Sequence, residues 1–275
     1  MSPAAAPAYG SFEFPFGAKL IESTKEYLSE LGWAPLSMEN VNAQLGTSQK
    51  TLGVYLLGIK DPSAGQMRIT YVGQSEKAIY VRLMKHAKYI RDRIGLNPDD
   101  VVFKAAEIVM LSSMRIEAQL IKDYGTKWNK KKQDCGWNGS GFGSNDTGGN
   151  RDAQKPSQFD IRYPVDITLP KQDALPVGPT TPKLAIEHLS GKVPYTVRVA
   201  PKDSSHSDLS SHVTFGNEDS NCTAEEAARR ILNALPSWCA KVHLNKIVFE
   251  RGAQTAAPLF DATTWPPDNG FAYII

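Results

Sequence analysis

Two short apolar runs, separated by a turn-rich segment, constrain the fold of this chain more than any other feature. The runs are VYLL at residues 54–57 and ITYVG at residues 69–73, and KDPSAG lies between them at residues 60–65. Apolar, β-branched and aromatic runs flanked by Gly, Pro and Asp are typical of a hairpin. The sequence therefore predicts two paired strands, with Tyr55 on the first and Tyr71 on the second.

A basic amphipathic helix is predicted directly after this hairpin, over residues 78–94. Its apolar face consists of residues spaced three or four positions apart, namely Ile79, Leu83, Ala87, Ile90 and Ile94. Arg82 and His86 are four residues apart and share a different face. Their basic neighbours are Lys85, Lys88, Arg91 and Arg93. The alternative interpretation of Arg82 and His86 is an ordinary solvated side of a helix.

A third buried strand is predicted over residues 101–110, followed by a helix that runs to Tyr124 and ends at Gly125. Glu117 lies in or near the first turn of this helix, where the helix dipole favours a carboxylate for purely structural reasons. The sequence TKWN follows at residues 126–129. A further amphipathic helix is predicted before the hairpin, over residues 17–32, and residues 33–50 resemble a linker.

The triplets GVY at residues 53–55 and YVG at residues 71–73 resemble those of the GIY-YIG nucleases. These nucleases also carry one helix-borne, metal-binding glutamate, with a Trp-Asn pair about a dozen positions later. Arg82, His86, Glu117 and Asn129 complete the order of that family at similar spacing. The resemblance implies an α/β (α+β) fold, in which helices flank a small three-stranded antiparallel sheet.

The resemblance also implies a role for each site residue. Glu117 would bind one Mg²⁺ (or Mn²⁺) per active site, since hard cations prefer oxygen ligands. Arg82 would stabilise the pentavalent transition state through its planar donors, and Asn129 would orient groups at the site.

Tyr55 would act as a general base or position the attacking water, with assistance from His86, and Tyr71 would hold the phosphate or the water. Because a phenol has a reference pKa near ~10, Tyr55 needs a metal or cationic neighbour to act as a base. Gly73 would be small for steric reasons.

Residues 136–164 are rich in Gly, Asn and Asp, which predicts a loop without regular structure. The segment is similar to one in the GIY-YIG restriction endonucleases that cut the palindrome CCGCGG. The similar features are GFG at 141–143, ND at 145–146, GGNR at 148–151 and FDIRYP at 159–164, although those enzymes have Trp and His at the positions of Phe159 and Tyr163. We expect Arg151, Lys155 and Arg162 to bind DNA, and a GC-rich target, because arginine can contact guanine bidentately. Phosphate contacts alone, or a flexible linker, are the alternatives.

The sequence divides into three parts. Residues 1–164 form the predicted nuclease domain, with its N-terminal helix and DNA-recognition loop, and the resemblance covers roughly residues 17–164. Residues 165–182 contain four prolines and one glycine and are predicted to be a linker. Residues 183–275 are predicted to be an accessory β/α domain, which carries no recognised motif. Its helix at 223–235 begins with a capping box at Thr223 and Glu226, and strands are expected at 194–200, 213–215, 242–250 and 271–275.

Composition favours a globular protein in a reducing compartment. The chain has 275 residues, of which 41% are hydrophobic and 22% charged, with no apolar run near the ~20 residues that span a bilayer. The N-terminus lacks the pattern of a secretory signal, and three separated cysteines disfavour a disulfide framework or zinc site. We expect a bacterial cytosolic protein with no membrane association and no organic cofactor.

Positive charge is concentrated on the predicted nuclease segment. Residues 53–135 contain 15 Lys and Arg against 9 Asp and Glu, a net charge of +6, so the remainder carries −4 of the total of +2. A local basic excess favours a phosphate-rich partner such as double-stranded DNA. Lys85, Lys88 and Arg91 are the candidate DNA-binding residues of the predicted helix.

Three functions are consistent with these features. The first is a Type II restriction endonuclease, which would act as a homodimer because two strands must be cut and one chain carries one site. The second is a less specific nuclease of a toxin or phage-defence system, with residues 165–275 for targeting or regulation. The third is a non-catalytic DNA-binding module, which the complete set of site residues disfavours.

Overall fold

The structure is a computed structural model that describes residues 16–46, 53–60, 67–75, 78–108, 114–129, 136–143, 157–252 and 271–275. It has an α/β fold with several small, mostly antiparallel sheets. The elements of its N-terminal part are, in order, α1 (Phe16–Glu30), β1 (Ala34–Pro35), α2 (Met38–Leu45), β2 (Gly53–Lys60), β3 (Met67–Ser75), α3 (Ile79–Tyr89), β4 (Val101–Glu107) and α4 (Met114–Asp123).

The predicted hairpin of β2 and β3 forms one side of an antiparallel sheet with the strand order β1-β4-β2-β3, in which β3 is an edge strand. The three long strands are those expected from the sequence. The fourth, β1, contains only two residues and lies with α2 in a stretch that was expected to be a linker. Ser37 caps α2 by accepting a hydrogen bond from the Asn40 amide, which explains why a helix begins there.

Strand register divides the sheet into two chemically different faces. Tyr55 pairs with Gly73 and Leu57 pairs with Tyr71, so both tyrosines point to one side, which we call the site face. α2 and α3 cover this face. The opposite side, which we call the aliphatic face, is covered by α1 and α4. Its buried strand residues are Val54, Leu56, Val72 and Ala106.

Helix α3 is shorter than predicted. It ends at Tyr89, because the chain turns at Asp92 and Gly95, which adopt positive φ angles of 53° and 76°. Arg93 then forms isolated β-bridges with Leu96 and Val165. Ile94, which was expected on the packing face, is 43% exposed.

The C-terminal part has its own core and its own mixed sheet, ordered β12-β10-β11-β7, with β11 and β7 parallel. Its helices α6 and α8 pack on that core. The elements after residue 157 are α5 (Gln158–Arg162), β5 (Pro170–Lys171), β6 (Gly178–Thr180), α6 (Pro182–Lys192), β7 (Thr196–Val199), β8 (Val213–Phe215), α7 (Asn217–Ser220), β9 (Cys222–Thr223), α8 (Ala224–Asn233), β10 (Trp238–His243), β11 (Lys246–Arg251) and β12 (Phe271–Ile274).

Two expectations for this part need correction. The single strand expected at 242–250 is a hairpin of β10 and β11, which turns at Leu244 and Asn245. The expected linker at 165–182 buries Val165, Ile167 and Leu175 in the C-terminal core, so it packs as part of that module. The capping box of Thr223 and Glu226 forms at the start of α8 as predicted.

In the described ranges, no helix combines the length and apolar character needed to cross a membrane.

Candidate active site

Tyr55 and His86 form a buried, hydrogen-bonded pair on the site face. The Tyr55 Oη and His86 Nε2 atoms are 2.8 Å apart, and the two residues are 0% and 4% exposed. Tyr71 lies beside both, with ring centroids 6.1 Å from Tyr55 and 5.5 Å from His86. The two strand tyrosines and the helix histidine therefore meet as the sequence predicts, although His86 is buried rather than solvated.

Burial sets the protonation of this pair. Desolvation, helped by the charges of Arg82 and Lys85, lowers the pKa of His86 to about 3, so the imidazole is neutral at pH 7. Burial and the neighbouring Tyr71 raise the pKa of Tyr55, and the charge of Arg82 opposes this only in part. The phenol therefore keeps its proton, and the imidazole tautomer protonated at Nδ1 lets that phenol donate to Nε2.

Two glycines make room for the tyrosine rings. A Cβ on Gly73, which lies across from Tyr55 in the hairpin, would overlap the Tyr55 ring. A Cβ on Gly143, whose φ is +73°, would overlap the Tyr71 hydroxyl. The steric role expected for Gly73 agrees with this packing, and Gly143 has the same role on the other tyrosine.

Arg82 extends from α3 to the tyrosine pair. Its Nη2 donates to the Gly143 carbonyl at 3.1 Å, and its Nε is buried with no hydrogen-bond partner among the described residues. Burial alone would lower the pKa of Arg82, but Tyr55, Tyr71 and Glu117 outweigh it and the pKa lies above its usual value. The guanidinium is thus a cation held by its contact with Gly143.

Glu117 approaches the same cluster from the other side of the sheet. It lies in the first turn of α4 and accepts a hydrogen bond from the backbone amide of Gln74 on β3, the edge strand of the sheet. Burial raises the pKa of Glu117, while Arg82 and the Gln74 amide act in the opposite direction. The Glu117 carboxylate and the Arg82 guanidinium therefore interact across the edge of β3.

The site offers one carboxylate rather than a ready-made metal cage. The part of the chain that the structure describes contains no group of three or more His, Cys, Asp or Glu residues that could hold a metal ion. A half-buried carboxylate nevertheless suits Mg²⁺, which keeps several waters and is often bound through one or two carboxylates and the substrate phosphate. Glu117 is the residue that would hold such an ion.

The edge of β3 is completed by residues 136–143. The Asn138 side chain accepts from the Val72 amide at 2.9 Å and donates to the Val72 carbonyl at 2.7 Å. Asn129, which was expected to orient the site, is exposed, whereas Asn138 is 8% exposed. The sequence contains two Trp-Asn pairs, at 128–129 and 137–138. The second pair is the signal that could have identified Asn138.

A cluster of aromatic side chains packs against His86. Phe142 stacks on His86 with ring centroids 4.7 Å apart and meets the Tyr71 ring edge-on at 5.1 Å. Trp137 and Phe159 pack on Phe142 at 4.8 Å each. The described residues of the expected recognition loop therefore form part of the core of the site, and residues 158–162 form helix α5 rather than irregular loop.

The candidate DNA-binding residues do not all lie on one element. Lys85 and Lys88 are exposed on α3, and Arg91 is exposed two residues after the end of that helix. Arg162 is exposed on α5, and its Nε donates to the Tyr163 hydroxyl at 2.9 Å. Arg151 and Lys155 lie outside the described residues.

No protein-family model matches the chain, and no curated protein matches it significantly. The functional interpretation therefore depends on the chemistry of the cluster itself. Its members are two buried phenols, a neutral imidazole, a guanidinium and a carboxylate that lie together at one sheet edge.

Proposed function

We propose that the chain is a Mg²⁺-dependent DNA endonuclease of the GIY-YIG type, acting as a Type II restriction enzyme. The observation that supports this most is the convergence of Tyr55, Tyr71, His86, Arg82 and Glu117 on the edge of β3. Hydrolysis of a phosphodiester needs a cation on the non-bridging oxygens, an oriented water and a metal ligand. The five residues contain a candidate for each.

Arg82 provides the fixed positive charge. Its hydrogen bond to the Gly143 carbonyl and its partial burial hold the guanidinium in place before substrate arrives, and a guanidinium has five N–H donors with which to bind phosphate oxygens. Preorganised donors of this kind stabilise charge that develops in the transition state without reorganising. We therefore assign to Arg82 the stabilisation of the pentavalent transition state.

Tyr55 and His86 provide orientation. Because the phenol keeps its proton and the imidazole is neutral, the pair is a poor base by itself at neutral pH. It holds the Tyr55 oxygen at a fixed point, where it can position a water molecule. A Mg²⁺ ion bound at Glu117 would neutralise phosphate charge and acidify a bound water.

The exposed cations of α3 suit a polyanionic partner. Lys85 and Lys88 on α3, and Arg91 just after it, are exposed cations of the kind that contact DNA phosphates, and the charge of Lys85 acts on His86. The described residues of one chain contain one such cluster, so we expect cleavage of both strands at one position to use two chains. Two-fold symmetry of a homodimer would in turn favour a palindromic site.

One observation favours the less specific nuclease as a second candidate. Phe159 and Tyr163, which belong to the expected recognition loop, are 0% and 7% exposed and face the protein interior. Among the described residues of that loop, Arg162 is the exposed cation. Base contacts would then come from residues outside the described ranges or be absent, as in a toxin or defence nuclease.

The carboxylate is the residue to test first. We expect Glu117→Gln to abolish Mg²⁺-dependent cleavage of DNA while binding to the same duplex in Ca²⁺ or EDTA persists, because the amide keeps the shape but not the charge. Glu107→Gln, at an exposed position at the end of β4, is the matched control and should cut normally. Undiminished cleavage by Glu117→Gln at millimolar Mg²⁺ would refute the assignment.

A further inference from the structure

Asp160 is a fully buried carboxylate at the junction of the two modules. It accepts hydrogen bonds from four side chains: Tyr89 at 2.7 Å, Arg93 at 2.8 Å, Ser157 at 2.7 Å and Asn245 at 2.9 Å. The side chains of Arg93 and Asp160 are 1% and 0% exposed. A buried ion pair of this kind tolerates the loss of a partner poorly, because the remaining charge stays desolvated.

Asn245 is the member of this network that comes from the C-terminal module. It occupies the turn between β10 and β11, and its Nδ2 is the donor to Asp160 Oδ2. The preceding residue, Leu244, accepts a backbone hydrogen bond from Val165 at 2.9 Å. The tip of the C-terminal hairpin therefore holds the chain segment that contains Asp160.

The network leads directly to the candidate active site. The Arg93 guanidinium lies over the Tyr89 ring at 4.3 Å and the Phe159 ring at 5.3 Å. Phe159 packs on Phe142, and Phe142 stacks on His86. The path starts at the half-buried Asn245 and continues through buried side chains to the imidazole.

We propose that Asp160 is a positioning residue, through which the C-terminal hairpin holds the Phe142 ring in contact with His86 and Tyr71. Residues 165–275 then serve as a required part of the nuclease scaffold and not as a detachable targeting domain. This inference rests on the proposed nuclease function for its catalytic readout. Its structural readout, the environment of the His86 ring, does not depend on that function.

Asn245→Asp in the full-length chain is the sharpest test. The substitution keeps the shape of the side chain, removes the donor and places a second carboxylate against Asp160. We expect kcat for DNA cleavage to fall by about ten- to a hundredfold, since small displacements of a reacting constellation can cost this much. KM should stay within about twofold, because the exposed cations of α3 are unaffected. Asn233→Asp, at an exposed position in the same module, is the matched control.

The NMR signal of the His86 ring distinguishes a positioning role of the Asp160 network from a role in stability alone. We expect Asn245→Asp to shift the ¹H–¹³C imidazole signal of His86, identified by its loss in His86→Leu, at a temperature where both proteins are folded. If Asn245→Asp does not fold, Asn245→Ser shortens the donor without adding charge and should give the same shift and a smaller loss of kcat.

An unchanged His86 signal, or a lower melting temperature with unchanged kcat, would overturn the proposal. If the wild-type chain cuts no DNA, the proposed function fails, and the His86 signal alone decides whether the hairpin positions the ring.

Discussion

The two faces of the N-terminal sheet both bury side chains, but their chemistry differs. On the aliphatic face, Val54, Leu56 and Val72 meet α1 and α4 through hydrocarbon contacts. Lys104 also lies there, and its ammonium donates to the Leu28 carbonyl. On the site face, neighbouring positions of the same strands carry Tyr55 and Tyr71 against a histidine and an arginine.

This difference is the reason for placing the proposed function on the site face. Burying polar groups is costly unless each finds a partner, and the Nε of Arg82 has none among the described residues. A chain selected for stability alone would place aliphatic residues on both faces. The polar face is therefore the one to which we assign the proposed function, and the predictions below test this division.

Leu56→Ala should have the largest effect, and on stability alone. Leu56 is 2% exposed on the aliphatic face, and removing such a side chain lowers the free energy of unfolding by about 2–5 kcal/mol. Urea denaturation measures the loss, and kcat of the folded fraction should be unchanged. Leu184→Ala, at a residue that is 54% exposed on α6, is the control. A fall in kcat for folded Leu56→Ala would remove the distinction between the faces.

Arg82→Ala should show the opposite pattern. We expect DNA cleavage to fall by about 10²–10³-fold, the usual cost of losing one preorganised donor to a transition state, with a cooperative unfolding transition retained. The control is Arg229→Ala, whose side chain is 51% exposed on α8 and should be fully active. Unfolding of Arg82→Ala would instead assign Arg82 to structure.

The stability of the site face should depend on acid through His86. Its pKa is about 3 in the folded chain and near 6.5 in the unfolded chain, so the unfolded state binds the proton first as the pH falls. Stability is full above pH 6.5 and is lost between pH 6.5 and 3. We expect this group to contribute a loss of about 2 kcal/mol between pH 7.5 and 5.

His86→Leu isolates that contribution, because it removes the titrating ring from the same buried position. The variant should lose less unfolding free energy over the same pH interval than the wild type does. Parallel pH profiles of the two proteins would show that His86 is not a buried neutral imidazole.

Tyr55→Phe should have the smallest effect on stability. The ring remains packed against Gly73, but the buried His86 Nε2 loses its hydrogen-bond donor, for which we expect a loss of about 1–2 kcal/mol. Turnover should nevertheless fall at least about tenfold, because the oxygen that positions water is gone. Tyr27→Phe, at a residue that is 53% exposed, serves as the control. Near-wild-type turnover would remove Tyr55 from the reaction.

Local patterns in the sequence predicted the hairpin, the strand β4, and helices α1 and α4. These elements depend on apolar periodicity and on turn residues, which are readable without long-range information. They also placed Tyr55, Tyr71, Arg82, His86 and Glu117, because each residue lies on an element with a strong pattern.

What the sequence could not show depends on contacts between distant segments. Asn138 forms hydrogen bonds with Val72, 66 positions earlier, and Asp160 accepts one from Arg93, 67 positions earlier. Glycine-rich composition at 136–164 predicted a loop, but Trp137 and Phe142 are buried and pack against each other in the core. Proline content likewise predicted a linker at 165–182, although Val165 and Leu175 are buried in the C-terminal core. Composition describes a segment alone, whereas burial depends on its neighbours.

The most direct test of the proposed nuclease site is digestion of a large, fully sequenced DNA by the full-length chain, in Mg²⁺ and in EDTA, with the ends of the products sequenced. We expect cleavage in Mg²⁺ only, with discrete fragments whose ends share one palindromic sequence. A continuous smear would favour the less specific nuclease. DNA left intact at millimolar Mg²⁺ by a chain that is folded and binds the duplex would contradict the assignment of a catalytic function to the site face.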